Sequence, residues 1–135
     1  MTRVCLVDDH PTFRAGLRAL LEASGIEVAG EATGGAGAVD CAREFSPDVM
    51  LMDLSMPEVD GAEATRRMTR ELPDIPVVVL TSFSDRTRIM DALDAGAVGY
   101  LLKDADPEDL VRGVQSAAEG HAPLDPRAAR ELLSS

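Results

Sequence analysis

The chain has 135 residues, 45% apolar and 27% charged, which is enough for one globular domain with a buried core. Its 24 Asp and Glu against 13 Lys and Arg leave a formal charge of −11, a balance that weighs against gripping nucleic acid or an anionic membrane. No apolar run approaches the ~20 residues of a membrane span, and the two cysteines, far apart in apolar stretches, fit a reducing cytoplasm better than a disulfide scaffold.

After Met1-Thr2-Arg3, the run Val4–Val7 is too short for a signal-peptide core or a helix and suits a buried strand. Phe13, Leu17, Leu20 and Leu21 then fall at i, i+4, i+7 and i+8, with Arg14, Arg18 and Glu22 on the opposite face. That spacing predicts an amphipathic helix, stopped at Ser24-Gly25. Ile26-Glu27-Val28-Ala29 alternates as a half-exposed edge strand does. Gly34-Gly35-Ala36-Gly37 lacks the spacing of a phosphate loop and reads as a turn into a second helix. Val49–Met52, Val77–Leu80 and Val98–Leu102 are three more buried strands, and the helices between them close at Leu72-Pro73 and Ala95-Gly96. Asp106-Pro107 opens another helix, with Glu108 and Asp109 at the positive end of its dipole and Leu110, Val111 and Val114 as its apolar stripe. The segment His121–Ser135 holds Pro123 and Pro126 and reads as a linker or packing helix.

A strand followed by a helix five times over implies a parallel sheet with helices on both faces. In such a sheet ligands bind beyond the carboxyl ends of the strands, where the strand order reverses. Asp8 and Asp9 follow the first strand, Asp53 the third, Thr81 and Ser82 the fourth, and Lys103 the fifth. Any one of these acids alone would read as a helix cap or a solvated loop residue. Together they pose an electrostatic problem, because two like charges ~4 Å apart repel by ~4 kcal/mol at an effective dielectric of 20. Cations therefore belong among them. Lys103, the only lysine beside twelve arginines, supplies a compact ammonium. Oxygen-rich donors favour a hard external ion as well, Mg²⁺ above all.

Val4-Cys5-Leu6-Val7-Asp8-Asp9-His10, the stretch Asp53–Gly61, Leu80-Thr81-Ser82 and Gly99–Asp104 resemble the receiver domain of two-component response regulators. The likeness covers residues 3–120 and is nearest to the subfamily whose receivers precede a NarL/FixJ (LuxR-type) helix-turn-helix domain. It implies a flavodoxin-like (βα)5 doubly wound parallel sheet with strand order 2-1-3-4-5. It also implies a receiver over residues 1–120, with residues 121–135 as a linker or short C-terminal helix toward an absent output domain.

By the same resemblance, Asp53 accepts a phosphoryl group from the phosphohistidine of a sensor histidine kinase. Asp9 binds Mg²⁺ directly, Asp8 acts through water, and the Asp53 carboxylate and the Ser55 backbone carbonyl complete the metal set. Thr81 reaches the phosphoryl oxygens once its loop closes, and Lys103 pairs with the acid at rest and with the phosphoryl group afterwards. Tyr100 couples its rotamer to Thr81, while Ser55 and Phe83 tune hydrolysis of the phosphoryl group. Asp104 stands where many receivers carry a cis proline, so no cis bond is expected. His10 reads as a surface or capping residue. The implied partners are a sensor histidine kinase and, on phosphorylation, a second copy. The chain itself is expected to contact neither nucleic acid nor membrane, to be cytoplasmic, and to catalyse only its own phosphorylation and dephosphorylation. Transcriptional control would run through a helix-turn-helix domain downstream.

Three other readings compete. A haloacid-dehalogenase-like phosphatase also uses an aspartate, a hydroxyl and a lysine on a similar sheet, but needs an acid two residues past the nucleophile, where this chain has Ser55. A flavodoxin-like electron carrier needs a first loop that cradles a phosphate, which Asp8-Asp9-His10-Pro11 would repel. A purely structural domain has no need of the acids. A stand-alone single-domain regulator is the remaining variant of the receiver reading.

Overall fold

The computed structural model describes residues 1–134. In chain order it contains β1 (Arg3–Val7), α1 (Pro11–Ala23), β2 (Glu27–Ala32), α2 (Ala38–Phe45), β3 (Val49–Met52) and α3 (Gly61–Glu71). These are followed by β4 (Val77–Thr81), α4 (Arg86–Asp94), β5 (Gly99–Leu102), α5 (Pro107–Ala118) and α6 (Pro126–Leu133). The five strands form one sheet in the order β2-β1-β3-β4-β5, and every pairing is parallel. This is the flavodoxin-like (βα)5 arrangement that the alternation and the resemblance imply. Among the described residues no helix is long and apolar enough to cross a membrane.

Alternation along each strand divides the core. Val4 and Leu6 of β1 face one side with Leu17 and Leu21 of α1 and Leu110 and Val114 of α5. Cys5 and Val7 face the other with Val39 and Cys41 of α2 and Met68 of α3. Both cysteines are buried and free. A third cluster joins Val79, Tyr100 and Leu102 to Ile89 of α4 and Ala128 of α6. Between β1 and β3 the chain turns to opposite faces of the sheet, α1 on one and α3 on the other, which opens a crevice at their carboxyl ends.

Two elements differ from the sequence pattern. The edge strand β2 runs on through Gly30-Glu31-Ala32, because a register shift between Val4 and Cys5 lets Gly30 pair with Cys5. Gly30 is needed there, since a methyl group at that position would overlap the Phe45 ring. At the other edge, the segment past Gly120 lies along β5. Tyr100 N–H donates to the Pro123 carbonyl at 2.9 Å and Asp125 N–H to the Tyr100 carbonyl at 2.9 Å, as a sixth strand would. The segment then forms α6 on α4, with Ala128 fully buried and the Arg86 guanidinium donating to the Leu132 carbonyl at 2.9 Å.

Candidate functional site

The carboxyl ends of β1, β3 and β5 bring Asp8, Asp9, Asp53 and Lys103 together. The Asp53 N–H donates to the Val7 carbonyl at 2.9 Å and the Lys103 N–H to the Thr81 carbonyl at 2.8 Å, so sheet bonds carry straight into the site. Lys103 Nζ lies 2.8 Å from Asp8 Oδ2 and 3.3 Å from Asp53 Oδ1. It also sits 4.4 Å from the centre of the Phe13 ring, an apolar wall that keeps the ammonium turned toward the acids. The backbone of Asp8 is fastened from behind, its carbonyl accepting from Arg14 Nη1 at 2.6 Å.

Burial of these acids has a cost that the protein's own groups offset only in part. Asp53 is 3% exposed. Its removal from water pushes its pKa above the ordinary carboxylate value; Lys103 pulls it down and neighbouring Asp8 pushes it up. Two buried oxygens, Asp9 Oδ1 and Asp53 Oδ2, have no hydrogen-bond partner. Buried carboxylate oxygens left in that state call for a cation. Donor atoms from Asp8, Asp9, His10 and Asp53 all lie within 4.8 Å of one another, which fits a small divalent ion held largely by oxygen.

The loop after β3 is shaped to hold Asp53 in place. Gly61, the first residue of α3, packs against the Asp53 carbonyl so closely that a methyl group would overlap that oxygen. Its N–H donates to the Leu54 carbonyl at 3.1 Å. Asp60 caps α3 by accepting from the Glu63 N–H at 2.9 Å. Ser55 is exposed on this loop.

Thr81 and Tyr100 belong to a second, linked group. Thr81, fully buried at the end of β4, accepts from the Phe83 N–H at 3.3 Å. The Tyr100 hydroxyl donates to the Phe83 carbonyl at 2.7 Å, and burial raises its pKa well above the usual phenol value. Phe83 thus joins the two residues that the resemblance names as a switch. Tyr100 lies on the strand paired with the tail, so its ring is fully buried and not at an open edge. No cis peptide bond occurs among the described residues, as expected at Lys103-Asp104.

His10, expected as a surface or capping residue, does stand exposed at the cap position of α1, but its contacts with the acids were not foreseen. It occupies the position before α1 and is 57% exposed in its side chain, yet Nδ1 reaches in to 3.0 Å from Asp8 Oδ1, 3.1 Å from Asp9 Oδ1 and 3.5 Å from Asp53 Oδ2. The His-Pro pair was the available signal, because a residue before proline is held extended. His10 is so held, at φ −99° and ψ 100°.

The family model described as "Response regulator receiver domain" matches residues 4–115. The transcriptional regulatory protein LiaR of Bacillus subtilis is 45% identical over 135 residues, covering 99% of this chain and 64% of its own length. A LuxR-family two-component response regulator from Aurantimonas sp. superposes with a TM-score of 0.94 at 34% identity, over 98% of this chain and 96% of that one. The isolated receiver domain of RcsB from Salmonella enterica, solved with the phosphomimetic BeF3⁻, superposes at 0.85 with 26% identity, over 96% and 97% of the two chains. A further RcsB structure holds two dimers bound to two parallel DNAs. The chain thus spans less than two thirds of the length of LiaR.

Proposed function

The chain belongs to the response regulator receiver family, and from that premise we propose that it takes a phosphoryl group from the phosphohistidine of a sensor histidine kinase onto Asp53. The observation that carries this reading is the pair of partnerless buried oxygens on Asp9 and Asp53 beside the Lys103 ammonium. Such a site has positive charge in place and negative charge to spare, as a divalent ion and a phosphoryl group together require.

In the transfer, the Asp53 carboxylate forms a new P–O bond as the P–N bond of the phosphohistidine breaks, and the departing imidazole keeps that electron pair. Asp8, Asp9, Asp53 and the Ser55 carbonyl are the groups that would hold Mg²⁺, which when bound neutralises carboxylate and phosphoryl oxygens. Lys103, held between Asp8 and Asp53, is positioned to follow the charge as it moves onto the phosphoryl group. The phosphoryl oxygens then offer the Thr81 hydroxyl an acceptor, while at rest its oxygen only accepts from the Phe83 N–H, and its move inward would change the bond between Phe83 and Tyr100. With Ser55 where a haloacid-dehalogenase-type phosphatase needs an acid, the acyl phosphate persists as a signal and the chain acts on no separate substrate.

The resemblance to RcsB supports a homodimer on phosphorylation, and the resemblance to LiaR supports transcriptional output through a DNA-binding domain beyond residues 121–135, in the cytoplasm. With a charge of −11 this chain itself is not the DNA-binding part. The test is intact-mass measurement after incubation with a small phosphodonor and Mg²⁺, on wild type and Asp53→Ala. A phosphoryl adduct on wild type alone supports the assignment; an adduct on both proteins, or on neither, contradicts it.

A further inference from the structure

The transfer chemistry makes no use of the imidazole that stands among its acids. We propose that His10 is a metal ligand, and that it gives this pocket higher affinity for borderline transition ions such as Co²⁺ or Zn²⁺ than for Mg²⁺. The inference rests on the reading of the acid cluster as a divalent-ion site and adds a fourth side chain to it.

Geometry comes first. Two donors bound to one ion at ~2.1 Å are ~3.0 Å apart at a right angle and ~3.4 Å apart at the tetrahedral angle. His10 Nδ1 stands 3.0, 3.1 and 3.5 Å from oxygens of Asp8, Asp9 and Asp53, at or near that range for all three. A ring that merely paired with one acid has no reason to be nearly equidistant from three. Nδ1 is within hydrogen-bond distance of Asp8 Oδ1, while the buried Asp9 Oδ1 and Asp53 Oδ2 have no hydrogen-bond partner, and the Asp53 side chain is only 2% exposed. One ion would satisfy those two oxygens and the nitrogen at once.

The backbone holds the ring in this place. The His10 N–H donates to Asp8 Oδ1 at 2.7 Å, its carbonyl accepts from the Arg14 N–H at 3.0 Å, and Pro11 restricts it to an extended conformation. Ligand chemistry then sets the preference. Imidazole nitrogen suits Co²⁺, Ni²⁺ and Zn²⁺, whereas Mg²⁺ prefers oxygen and keeps several waters.

The experiment is calorimetric titration of the tag-free chain with MgCl2 and, separately, CoCl2, using wild type, His10→Ala and His10→Asn, together with the visible spectrum of each Co²⁺ complex. His10→Asn keeps a side-chain N–H for Asp8 but removes the ring nitrogen. Both variants are expected to bind Co²⁺ at least about tenfold more weakly, with altered Co²⁺ bands, while Mg²⁺ affinity stays within about threefold of wild type. Unchanged Co²⁺ binding, or equal weakening of both ions, overturns the ligand role of His10. Should wild type bind neither ion, the acid-cluster reading falls and takes this inference with it; Mg²⁺ binding with Co²⁺ indifferent to His10 sinks this inference alone.

Discussion

Replacing Lys103 with Met removes the ammonium but keeps a long apolar side chain against Phe13, so the change isolates charge. The two ion pairs, at 2.8 and 3.3 Å, involve side chains only 12% (Lys103), 8% (Asp8) and 2% (Asp53) exposed. Each is worth a gross attraction of roughly 5–6 kcal/mol at an effective dielectric of 20. Desolvation of the ammonium offsets much of that, and removing one partner of a buried pair leaves a net loss of about 3 kcal/mol. In chelator, at an m-value of about 2 kcal/mol/M, the urea midpoint followed by far-ultraviolet circular dichroism should therefore fall by about 1.5 M. Saturating Mg²⁺ supplies replacement positive charge, so the loss should shrink by at least about 1.4 kcal/mol, which by linkage is Mg²⁺ binding the variant about tenfold more tightly. A loss below about 1 kcal/mol in chelator, or the same loss with and without Mg²⁺, would refute the argument that these acids are held together by cations.

Asp53→Asn should stabilise the metal-free protein at neutral pH. The folded-state pKa of Asp53 is raised, chiefly by burial, so its ionised form is disfavoured by folding. That penalty is full above the folded pKa and fades as pH falls through it toward the unfolded value, ~3.9. Thermal unfolding across this range should show the advantage of Asn disappearing at acid pH; an advantage that grows there contradicts the sign. Gly61→Ala places a methyl group on the Asp53 carbonyl oxygen, so it should cost about 1–3 kcal/mol and weaken Mg²⁺ binding in the same protein. Wild-type stability together with wild-type Mg²⁺ affinity would show that α3 does not position the acid. Sedimentation with and without beryllofluoride should show a heavier species only with the mimic, and equal masses would defeat phosphorylation-driven dimerisation.

The strands were legible because apolar runs of four or five residues between helical spacings have few other uses. The acids were legible because parallel topology sends every residue that follows a strand to the same edge. What the sequence hid arises from long-range pairing. The alternation Ile26–Ala29 stops short of Gly30, and only the shifted register against Cys5 makes it part of β2. His121-Ala122-Pro123-Leu124 has no strand alternation, yet it pairs with Tyr100 because the backbone of β5 offers unpaired groups on that side. Arg14 looks like a solvent-facing helix residue, but its length lets it reach back to the Asp8 carbonyl and to Glu31 at 2.8 Å. His10 was undervalued for the same reason, since the direction of its side chain depends on a backbone pinned by Asp8, Arg14 and Pro11.

The most direct measurement locates the phosphoryl group chemically. Borohydride reduces an acyl phosphate on aspartate to homoserine, so peptide mass spectrometry after phosphodonor, Mg²⁺ and borohydride reads out which carboxylate was modified. The account predicts homoserine at position 53 alone, dependent on Mg²⁺. Conversion at Asp8 or Asp9, or phosphorylation that survives without any conversion at 53, would contradict it.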